Sequence, residues 1–180
     1  MHAGAGGVGS AAIQLGLAAG ARVLATAGGP EKVAMMRDLG VEVAIDYRAE
    51  DFVEVVKAAT GGAGADVIFD PVGGDTFDRS RKCIAFEGRL LVIGFTSGRI
   101  PEAPANHALV KNYSVVGVHW GLYNTKQPER IREIHGDLVD LHARGAIRPL
   151  VHEVITLDEV PAALTRLASR GTTGKVVWAR

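Results

Sequence analysis

The glycine-rich stretch from His2 to Gly9 constrains the fold more than any other feature of the sequence. Within it, Gly4, Gly6 and Gly9 have the spacing G-x-G-x-x-G directly before a segment of helical periodicity. At such a strand-to-helix turn, the first glycine permits the tight turn, the second lets the backbone approach a pyrophosphate, and the third lets the helix pack closely. The N–H groups and positive dipole end of the helix N-terminus then favour an anion. The stretch therefore predicts a phosphate-binding turn.

Two other interpretations of the glycine stretch compete with dinucleotide binding. A glycine-rich turn can serve tight packing alone, and without context that interpretation is equally good. The stretch is also not a P-loop, because the Lys-Ser/Thr pair that a P-loop requires after its second glycine is missing. Phosphate binding is favoured over mere packing by the α/β pattern of the chain that follows.

Short runs rich in valine and isoleucine alternate with helical segments, as is typical of a parallel sheet covered on both faces by crossover helices. The predicted strands are Arg22 to Ala27, Val43 to Asp46, Asp66 to Asp70, Arg89 to Ile93 and Ser114 to Val118. The predicted helices run from Gly9 to Gly20, Pro30 to Leu39, Phe52 to Ala59 and Phe77 to Ala85. The fold class is thus α/β, a doubly wound, mainly parallel Rossmann-type sheet over residues 1–146. Its first strand is reduced to the three residues that precede Gly4.

The tail, residues 147–180, has a different pattern, and a long helix from Pro128 to Arg144 precedes it. We predict a strand at Leu150 to Ile155, a capping box from Thr156 to Glu159 that opens a short helix, and a last strand at Lys175 to Trp178. The glycine-rich pieces at 61–64 and 171–174 are interpreted as turns rather than linkers.

Composition excludes several classes of partner. Twenty basic residues balance twenty acidic ones, so no global charge favours a nucleic acid or an anionic membrane. The sequence contains neither a membrane-spanning apolar run nor a secretory leader pattern, and its one cysteine, Cys83, excludes an internal disulfide. We therefore expect a cytoplasmic protein without nucleic-acid or membrane partners.

The residues after the second predicted strand bear on the choice of cofactor. An NAD-binding Rossmann domain usually places a carboxylate there for the ribose 2′-hydroxyl, but this sequence has Thr26-Ala27-Gly28-Gly29. No acid would repel a 2′-phosphate, and Lys32, in the first turn of the next helix, is positioned to reach one as a point charge. By spacing alone, a solvated surface lysine is an equally good interpretation. The sequence therefore favours NADPH.

These pieces together resemble the medium-chain dehydrogenase/reductase superfamily and, within it, the zinc-free NADPH:quinone oxidoreductases. The matching pieces are AGAGGVGSAAIQLG, GGPEK at 28–32, IDYR at 45–48, DPVGG at 70–74, GRLLVIGF at 88–95 and NYSVVGVHWG at 112–121. The resemblance implies that Lys32 and Tyr47 contact the 2′-phosphate and adenine side, and that the turns at 70–73 and 94–95 face the nicotinamide. The cofactor-binding positions are then Gly4, Gly6, Gly7, Val8, Gly9, Thr26, Gly28, Lys32, Tyr47, Val72, Gly94 and Phe95.

The resemblance also implies what lies outside this sequence. Zinc ligands in the superfamily come largely from an amino-terminal catalytic domain that we expect to be absent here, so we predict no metal site and assign no catalytic residue. His107, His119 and His135 lack metal-ligand spacing, and Cys83 is expected to be a buried helix residue. By the same resemblance, the tail would normally return to that domain.

Several functions remain open at this stage. The first is the NADPH-binding portion of an enzyme that transfers hydride to a small-molecule acceptor, a quinone or α,β-unsaturated carbonyl. The alternatives are a stand-alone, non-catalytic dinucleotide-binding module and the cofactor domain of an enoyl reductase. A methyltransferase-like domain is weaker, because it also needs the ribose-binding acid missing after Thr26. We further expect a homodimer, since a truncated first strand and an unpaired tail leave edges to cover.

Overall fold

The computed structural model describes residues 1–180 and contains the predicted alternation of strands and helices. The strands are β1 (Leu24–Ala27), β2 (Val43–Asp46), β3 (Ala65–Asp70), β4 (Ile84–Val92), β5 (Ser114–Gly117), β6 (Val151–Ile155) and β7 (Lys175–Trp178). The helices are α1 (Gly7–Ala18), α2 (Pro30–Asp38), α3 (Phe52–Ala59), α4 (Gly74–Ser80), α5 (Ala105–Lys111), α6 (Tyr123–Lys126), α7 (Pro128–Ala143) and α8 (Val160–Ala168), with 3₁₀ turns at Trp120–Leu122 and Leu157–Glu159.

The main sheet is parallel and changes direction at the opening segment, Met1–Gly4. Strand β1 pairs with β2, and β3 pairs with β4, which in turn pairs with β5. The opening segment lies between β1 and β3: the Thr26 N–H donates to the Met1 carbonyl at 2.9 Å, and the His2 N–H donates to the Phe69 carbonyl at 3.1 Å. The order is therefore β2-β1-opening segment-β3-β4-β5, the Rossmann order. The opening segment thus joins the two halves of the sheet.

Helices cover both faces of this sheet, each over its own apolar cluster. On one face, Ile13 of α1 and Met36 of α2 are fully buried against Ala25 of β1. On the other face, Phe52 of α3 and Phe77 of α4 pack with the buried residues of β3 and β4. The doubly wound α/β fold is thus confirmed, and its strand ends meet at one edge of the sheet.

The prediction of a helix from Phe77 to Ala85 was wrong at its C-terminal half. Helix α4 ends at Ser80, and the apolar run that follows enters β4 instead. Cys83 is buried, but in the turn between α4 and β4 rather than in a helix. The strand begins early because its pairing with β3 shifts register, and Glu87, with φ of 57°, absorbs the extra residues. The short helices α5 and α6 carry no strong periodicity and were not predicted.

The tail folds back onto the glycine turn. Strands β6 and β7 pair in parallel with each other around α8, so they are not without partners. The Gly174 N–H donates to the Ala5 carbonyl at 2.8 Å, and the Arg148 N–H donates to the Gln14 side-chain oxygen at 2.6 Å. The residues before β7 therefore sit over the start of α1. None of the helices combines the length and the apolar character that a membrane span requires.

Candidate functional site

The glycine turn is closed by contacts that leave no room for side chains. A Cβ on Gly9 would lie 2.1 Å from the Ala3 carbonyl oxygen, and one on Gly4 would lie 2.6 Å from Met36 Sδ. Gly6 is different, because its added Cβ would meet only the Ala3 oxygen at an ordinary 3.5 Å. Gly6 is also the N-cap of α1 and supplies no side-chain hydrogen bond, so the first N–H groups of the helix are left for a ligand.

A cavity of about 420 Å³ opens above this turn, and we call it the glycine-turn cavity. Its walls come from the ends of the strands and from the tail. They are His2, Ala3, Ala5, Gly6, Gly7, Thr26, Ala27, Gly28, Lys32, Tyr47, Phe52, Val72, Thr76, Thr96, Ser97, Leu167, Arg170, Thr172 and Gly174. The wall contains no carboxylate, and its only permanently charged side chains are cationic. The predicted residues from the glycine turn, β1, α2 and β2 thus converge on one cavity.

Two side chains lie close to Gly28, which follows β1 and lines the glycine-turn cavity. A Cβ on Gly28 would lie 2.7 Å from Tyr47 Oη and 2.8 Å from Arg48 Nε. The nearby Asp46 carboxylate accepts from the Gly29 and Arg48 N–H groups, each at 3.0 Å, and these backbone hydrogen bonds lower its pKa. That carboxylate ties the turn after β1 to the turn after β2 and does not line the cavity, so the side chains closest to Gly28 are a phenol and a guanidinium and not an acid.

The tail supplies wall residues that the sequence analysis missed. Lys32 Nζ donates to the Arg170 carbonyl at 2.6 Å, which brings this segment over α2. Arg170 itself lines the cavity and has a φ of 61°. At the other end of the turn, Lys175 Nζ would lie only 2.8 Å from a Cβ on Gly7. The sequence does show basic residues on both sides of the glycine-rich turn at 171–174. It does not indicate that this turn lies over the start of α1.

The turn after β3 is held by a buried carboxylate. Asp70 Oδ1 accepts from the Val72 N–H at 2.8 Å and the Gly73 N–H at 3.0 Å. Burial raises the pKa of Asp70, and the two backbone hydrogen bonds oppose that rise. This turn is joined to the one after β4, because the Thr96 N–H donates to the Pro71 carbonyl at 3.1 Å. Val72 is thereby fixed on the wall of the glycine-turn cavity.

A second cavity, of about 580 Å³, lies beyond the turn after β4, and we call it the β4–β5 cavity. It is lined by Val92, Ile93, Gly94, Phe95, Gly117, Val118, His119, Leu122, Tyr123, Lys126 and Gln127. Gly94 and Phe95 thus face this cavity, whereas the next residues, Thr96 and Ser97, face the glycine-turn cavity. One turn therefore separates the two cavities at the carboxyl edge of the sheet, where open α/β sheets bind ligands.

Three of the predicted cofactor-binding positions line neither cavity. Gly4 and Gly9 are buried beneath the turn and line neither cavity. The Val8 side chain is 52% exposed and also lines neither cavity. Conversely, the sequence analysis did not single out two buried residues near the cavity, His2, whose ring contacts the Thr26 hydroxyl, and Ser80, whose hydroxyl contacts the other side of that ring.

The chain provides no ligand set for zinc. No group of three or more His, Cys, Asp or Glu side chains is arranged to hold a metal ion. His107 contacts Tyr113 Oη at 3.3 Å, His119 lines the β4–β5 cavity, and His135 is exposed on α7. Burial raises the pKa of the Cys83 thiol, which disfavours the thiolate that a metal needs. The residues present therefore do not fit a zinc site.

Comparison with known families and proteins agrees with this geometry. Residues 7–137 match the family described as zinc-binding dehydrogenase. The chain is 38% identical over 177 residues to quinone oxidoreductase-like protein 2 homolog of Nematostella vectensis, covering 97% of this chain and 48% of the relative. It is 34% identical to quinone oxidoreductase-like protein 2 of Bos taurus, covering 87% of this chain and 45% of the relative. The chain thus spans about half the length of the curated relatives it matches.

Solved structures give the same result. A quinone oxidoreductase from Pseudomonas syringae superposes with a TM-score of 0.88 at 31% identity, covering 99% of this chain and 55% of that one. A quinone oxidoreductase from Escherichia coli complexed with NADPH gives 0.86 at 32% identity, covering 99% and 56%. The CurK enoyl reductase gives 0.84 at 29% identity, covering 99% and 53%.

Proposed function

The chain belongs to the zinc-binding dehydrogenase family of medium-chain dehydrogenases/reductases, and on that premise we propose that it binds NADPH for hydride transfer to a quinone or another α,β-unsaturated carbonyl. The observation that carries the proposal is the charge of the glycine-turn cavity. Lys32 and Arg170 line it, no carboxylate does, and the Arg48 guanidinium stands beside Gly28. A phosphorylated dinucleotide matches this distribution better than one with a free 2′-hydroxyl.

The glycine turn fits the pyrophosphate of such a cofactor. Gly6 and Gly7 lie on the cavity wall, and the uncapped N-terminus of α1 offers backbone N–H groups to a phosphate. The adenosine 2′-phosphate would lie between Lys32, Arg48 and Arg170, with the Tyr47 hydroxyl beside it. The missing side chain at Gly28 lets Tyr47 and Arg48 approach the backbone there.

The nicotinamide would lie toward Val72 and the turn at Gly94 and Phe95, where the two cavities adjoin. When bound there, reduced nicotinamide supplies the hydride. The residues of the β4–β5 cavity would hold the acceptor against it, and the apolar side chains of Val92, Ile93 and Leu122 would exclude water. Asp70 would keep Val72 in position through its two backbone hydrogen bonds.

The binding half of the proposal is tested by comparing NADPH with NADH. Lys32→Ala should weaken NADPH binding about tenfold and leave NADH unchanged, because it removes one charge-assisted contact to phosphate. The matched control is Arg37→Ala, which removes an exposed cation from the same helix outside both cavities. The measurement is the dissociation constant from nicotinamide fluorescence or calorimetry. Equal affinity of the wild type for the two cofactors would refute the NADPH preference.

The acceptor half is tested by turnover. Relatives and neighbours named as quinone oxidoreductases and as an enoyl reductase make quinones and enoyl thioesters the first acceptors to try. Loss of nicotinamide absorbance with a panel of both classes would identify the acceptor. Tight NADPH binding with no oxidation by any acceptor would instead indicate a non-catalytic dinucleotide-binding module.

We also propose that the protein forms a homodimer through β5. This strand pairs with β4 along one edge only, and its other edge offers unpaired N–H and C=O groups. Such an edge is a template for pairing with a second copy. Val115→Pro removes one donor from this strand and should shift the mass measured by light scattering from dimer to monomer. A wild-type monomer at all concentrations would refute the proposal.

A further inference from the structure

A buried histidine network underlies the glycine-turn cavity at the point where the two halves of the sheet meet. His2 is 5% exposed, and its ring contacts the Thr26 hydroxyl through Nδ1 at 3.0 Å and the Ser80 hydroxyl through Nε2 at 2.8 Å. Its ring also packs edge-on against Phe52, with centroids 4.9 Å apart. The network therefore joins the opening segment, β1, α3 and α4.

The hydrogen bonds of Ser80 determine which nitrogen of His2 carries the proton. The Ser80 hydroxyl donates to the Thr76 carbonyl at 2.7 Å, and a carbonyl oxygen can only accept. Since the one Ser80 proton is used there, the Ser80 oxygen must accept from His2 Nε2–H. In the neutral ring Nδ1 then has no proton.

The orientation of the Thr26 hydroxyl follows from that tautomer. A bare Nδ1 can only accept, so Thr26 must donate its single proton to His2 and has none to offer the cavity. Thr26 also lines the cavity, at the end of β1 and two residues before Gly28. Its hydroxyl can therefore only accept a hydrogen bond from a group in that cavity.

We infer that His2 is a positioning residue that makes Thr26 an obligate hydrogen-bond acceptor for a hydroxyl of the adenosine ribose. This inference rests on the proposed NADPH binding. In NADPH the ribose 2′-oxygen carries a phosphate, so the 3′-hydroxyl is the donor that remains. Thr26 then provides a neutral acceptor two residues before Gly28, the position at which an acidic residue would repel the 2′-phosphate.

The state of His2 supports this assignment from a separate direction. Burial is the main cause that lowers the pKa of His2 to about 3, and the nearby amino terminus and Arg79 add to the decrease. The groups that face the ring are the hydroxyls of Thr26 and Ser80 and the ring of Phe52, none of them anionic. The ring is therefore neutral throughout the range in which dinucleotides are stable, and the Thr26 orientation does not change with pH there.

The first experiment reads the tautomer without any cofactor. Nitrogen-15 NMR of the histidine rings at neutral pH should show the His2 ring neutral, with its proton on Nε2. In Ser80→Ala, Nε2 loses its acceptor, and the proton should redistribute toward Nδ1. A wild-type ring protonated on Nδ1 would overturn the inference, because Thr26 would then accept from His2 and could donate to the cavity.

The second experiment measures NADPH and its 3′-deoxyribose analogue on Thr26 variants. Thr26→Val should weaken NADPH binding about tenfold, the value of one hydrogen bond, while Thr26→Ser stays within about twofold. Removing the 3′-hydroxyl from the cofactor should also weaken its binding to the wild type about tenfold. It should not weaken binding to Thr26→Val any further. An equal loss on the wild type and Thr26→Val would overturn the inference.

Two His2 variants separate its two hydrogen bonds. Asparagine puts an acceptor near the Nδ1 position and should keep NADPH affinity within about threefold, whereas glutamine retains mainly the Ser80 bond and should weaken binding about fivefold. Equal losses in His2→Asn and His2→Gln would mean that His2 acts only through packing, and would overturn the inference. A wild type that does not bind NADPH at all would refute the proposed function itself, whereas normal NADPH binding with an insensitive Thr26 would refute only the inference.

Discussion

The glycine-turn cavity and the β4–β5 cavity lie on either side of the turn after β4, but different kinds of residue line them. The glycine-turn cavity gathers backbone, hydroxyls and cations from six separate parts of the chain, and the tail lies over it. The β4–β5 cavity is formed by the ends of two neighbouring strands and the segment 117–127, with mainly apolar side chains. The first carries Lys32 and Arg170 on its wall and no carboxylate. The second offers apolar space in which bound molecules of several shapes would fit.

The glycines of the two regions also differ in how much room they leave for a side chain. In the glycine turn, Gly9 is packed against the backbone of Ala3 and Gly4, so an added side chain there meets atoms that cannot move aside. In the β4–β5 cavity the glycines are open: a Cβ on Gly117 would meet nothing within 4 Å. We therefore expect cofactor binding to be sensitive to single atoms and acceptor choice to be adjustable by side-chain exchange.

The largest effect should come from Gly9→Ala. Its Cβ would lie 2.1 Å from the Ala3 carbonyl oxygen, a backbone atom that cannot move without opening the turn. The free energy of unfolding should fall by about 3 kcal/mol or more, as in severe overpacking. Gly136→Ala is the matched control in α7, where a Cβ meets nothing within 4 Å, and it should gain about 0.5–1 kcal/mol. Urea unfolding measures both, and a tolerated Gly9→Ala would show that the turn is not close-packed.

Much of the glycine-turn cavity could be predicted from the sequence because its constraints are local. The spacing of Gly4, Gly6 and Gly9 requires a tight turn wherever the chain folds, and the helix that follows is periodic. The absence of an acid at Gly28 is likewise visible in the sequence, and Lys32 and Tyr47 do line the cavity. These residues are near one another along the chain or follow successive strands, so the parallel topology alone brings them together.

The rest could not be predicted because it depends on contacts between distant segments. The hydrogen bond from Lys32 to Arg170 joins residues 138 positions apart. The hydrophobic periodicity of neither segment predicts that contact. His2 and Ser80 are 78 positions apart, and each is unremarkable in its own segment. The helix predicted from Phe77 to Ala85 failed for a related reason, since the register shift in β4 that draws Cys83 and its neighbours out of the helix is set by pairing with β3.

Acid should lower the free energy of unfolding, because His2 beneath the glycine-turn cavity is buried in its neutral form. Folding lowers the pKa of His2 from 6.5 to about 3. Between these two pH values the imidazole is protonated in the unfolded chain and neutral in the folded chain. The stabilisation is complete above pH 6.5 and decreases as the pH falls toward 3, by about 2 kcal/mol between pH 6.5 and 5. Unfolding measured across this range should lose that dependence in His2→Asn and keep it in His135→Asn, which changes an exposed residue. An unaltered pH dependence in His2→Asn would contradict the buried neutral ring.

A smaller effect should come from Gly28→Asp, which restores an acid where the cavity now has none. The new carboxylate would lie beside Tyr47 and Arg48, whose side-chain ends can move, and would repel a 2′-phosphate while accepting from a 2′-hydroxyl. NADPH binding should weaken about tenfold, and the ratio of NADH to NADPH affinity should rise. Gly28→Ala separates the added bulk from the added charge. If alanine and aspartate weaken NADPH equally, space and not charge sets the preference.

The smallest effect should come from Lys126→Met, which removes the cation of the β4–β5 cavity while keeping most of the apolar stem. Reduced nicotinamide is uncharged, so a cation near it gains nothing from the cofactor, and the dissociation constants for NADPH and NADH should stay within about twofold. The same charge removal at Lys32 should act on NADPH alone and should weaken as salt is added, because it loses an ion-phosphate contact. Titrations of the two variants at low and high salt make this contrast quantitative. Should Lys126→Met weaken NADPH as much as Lys32→Ala does, the cofactor phosphate would have to reach the β4–β5 cavity, and the two cavities would have exchanged roles.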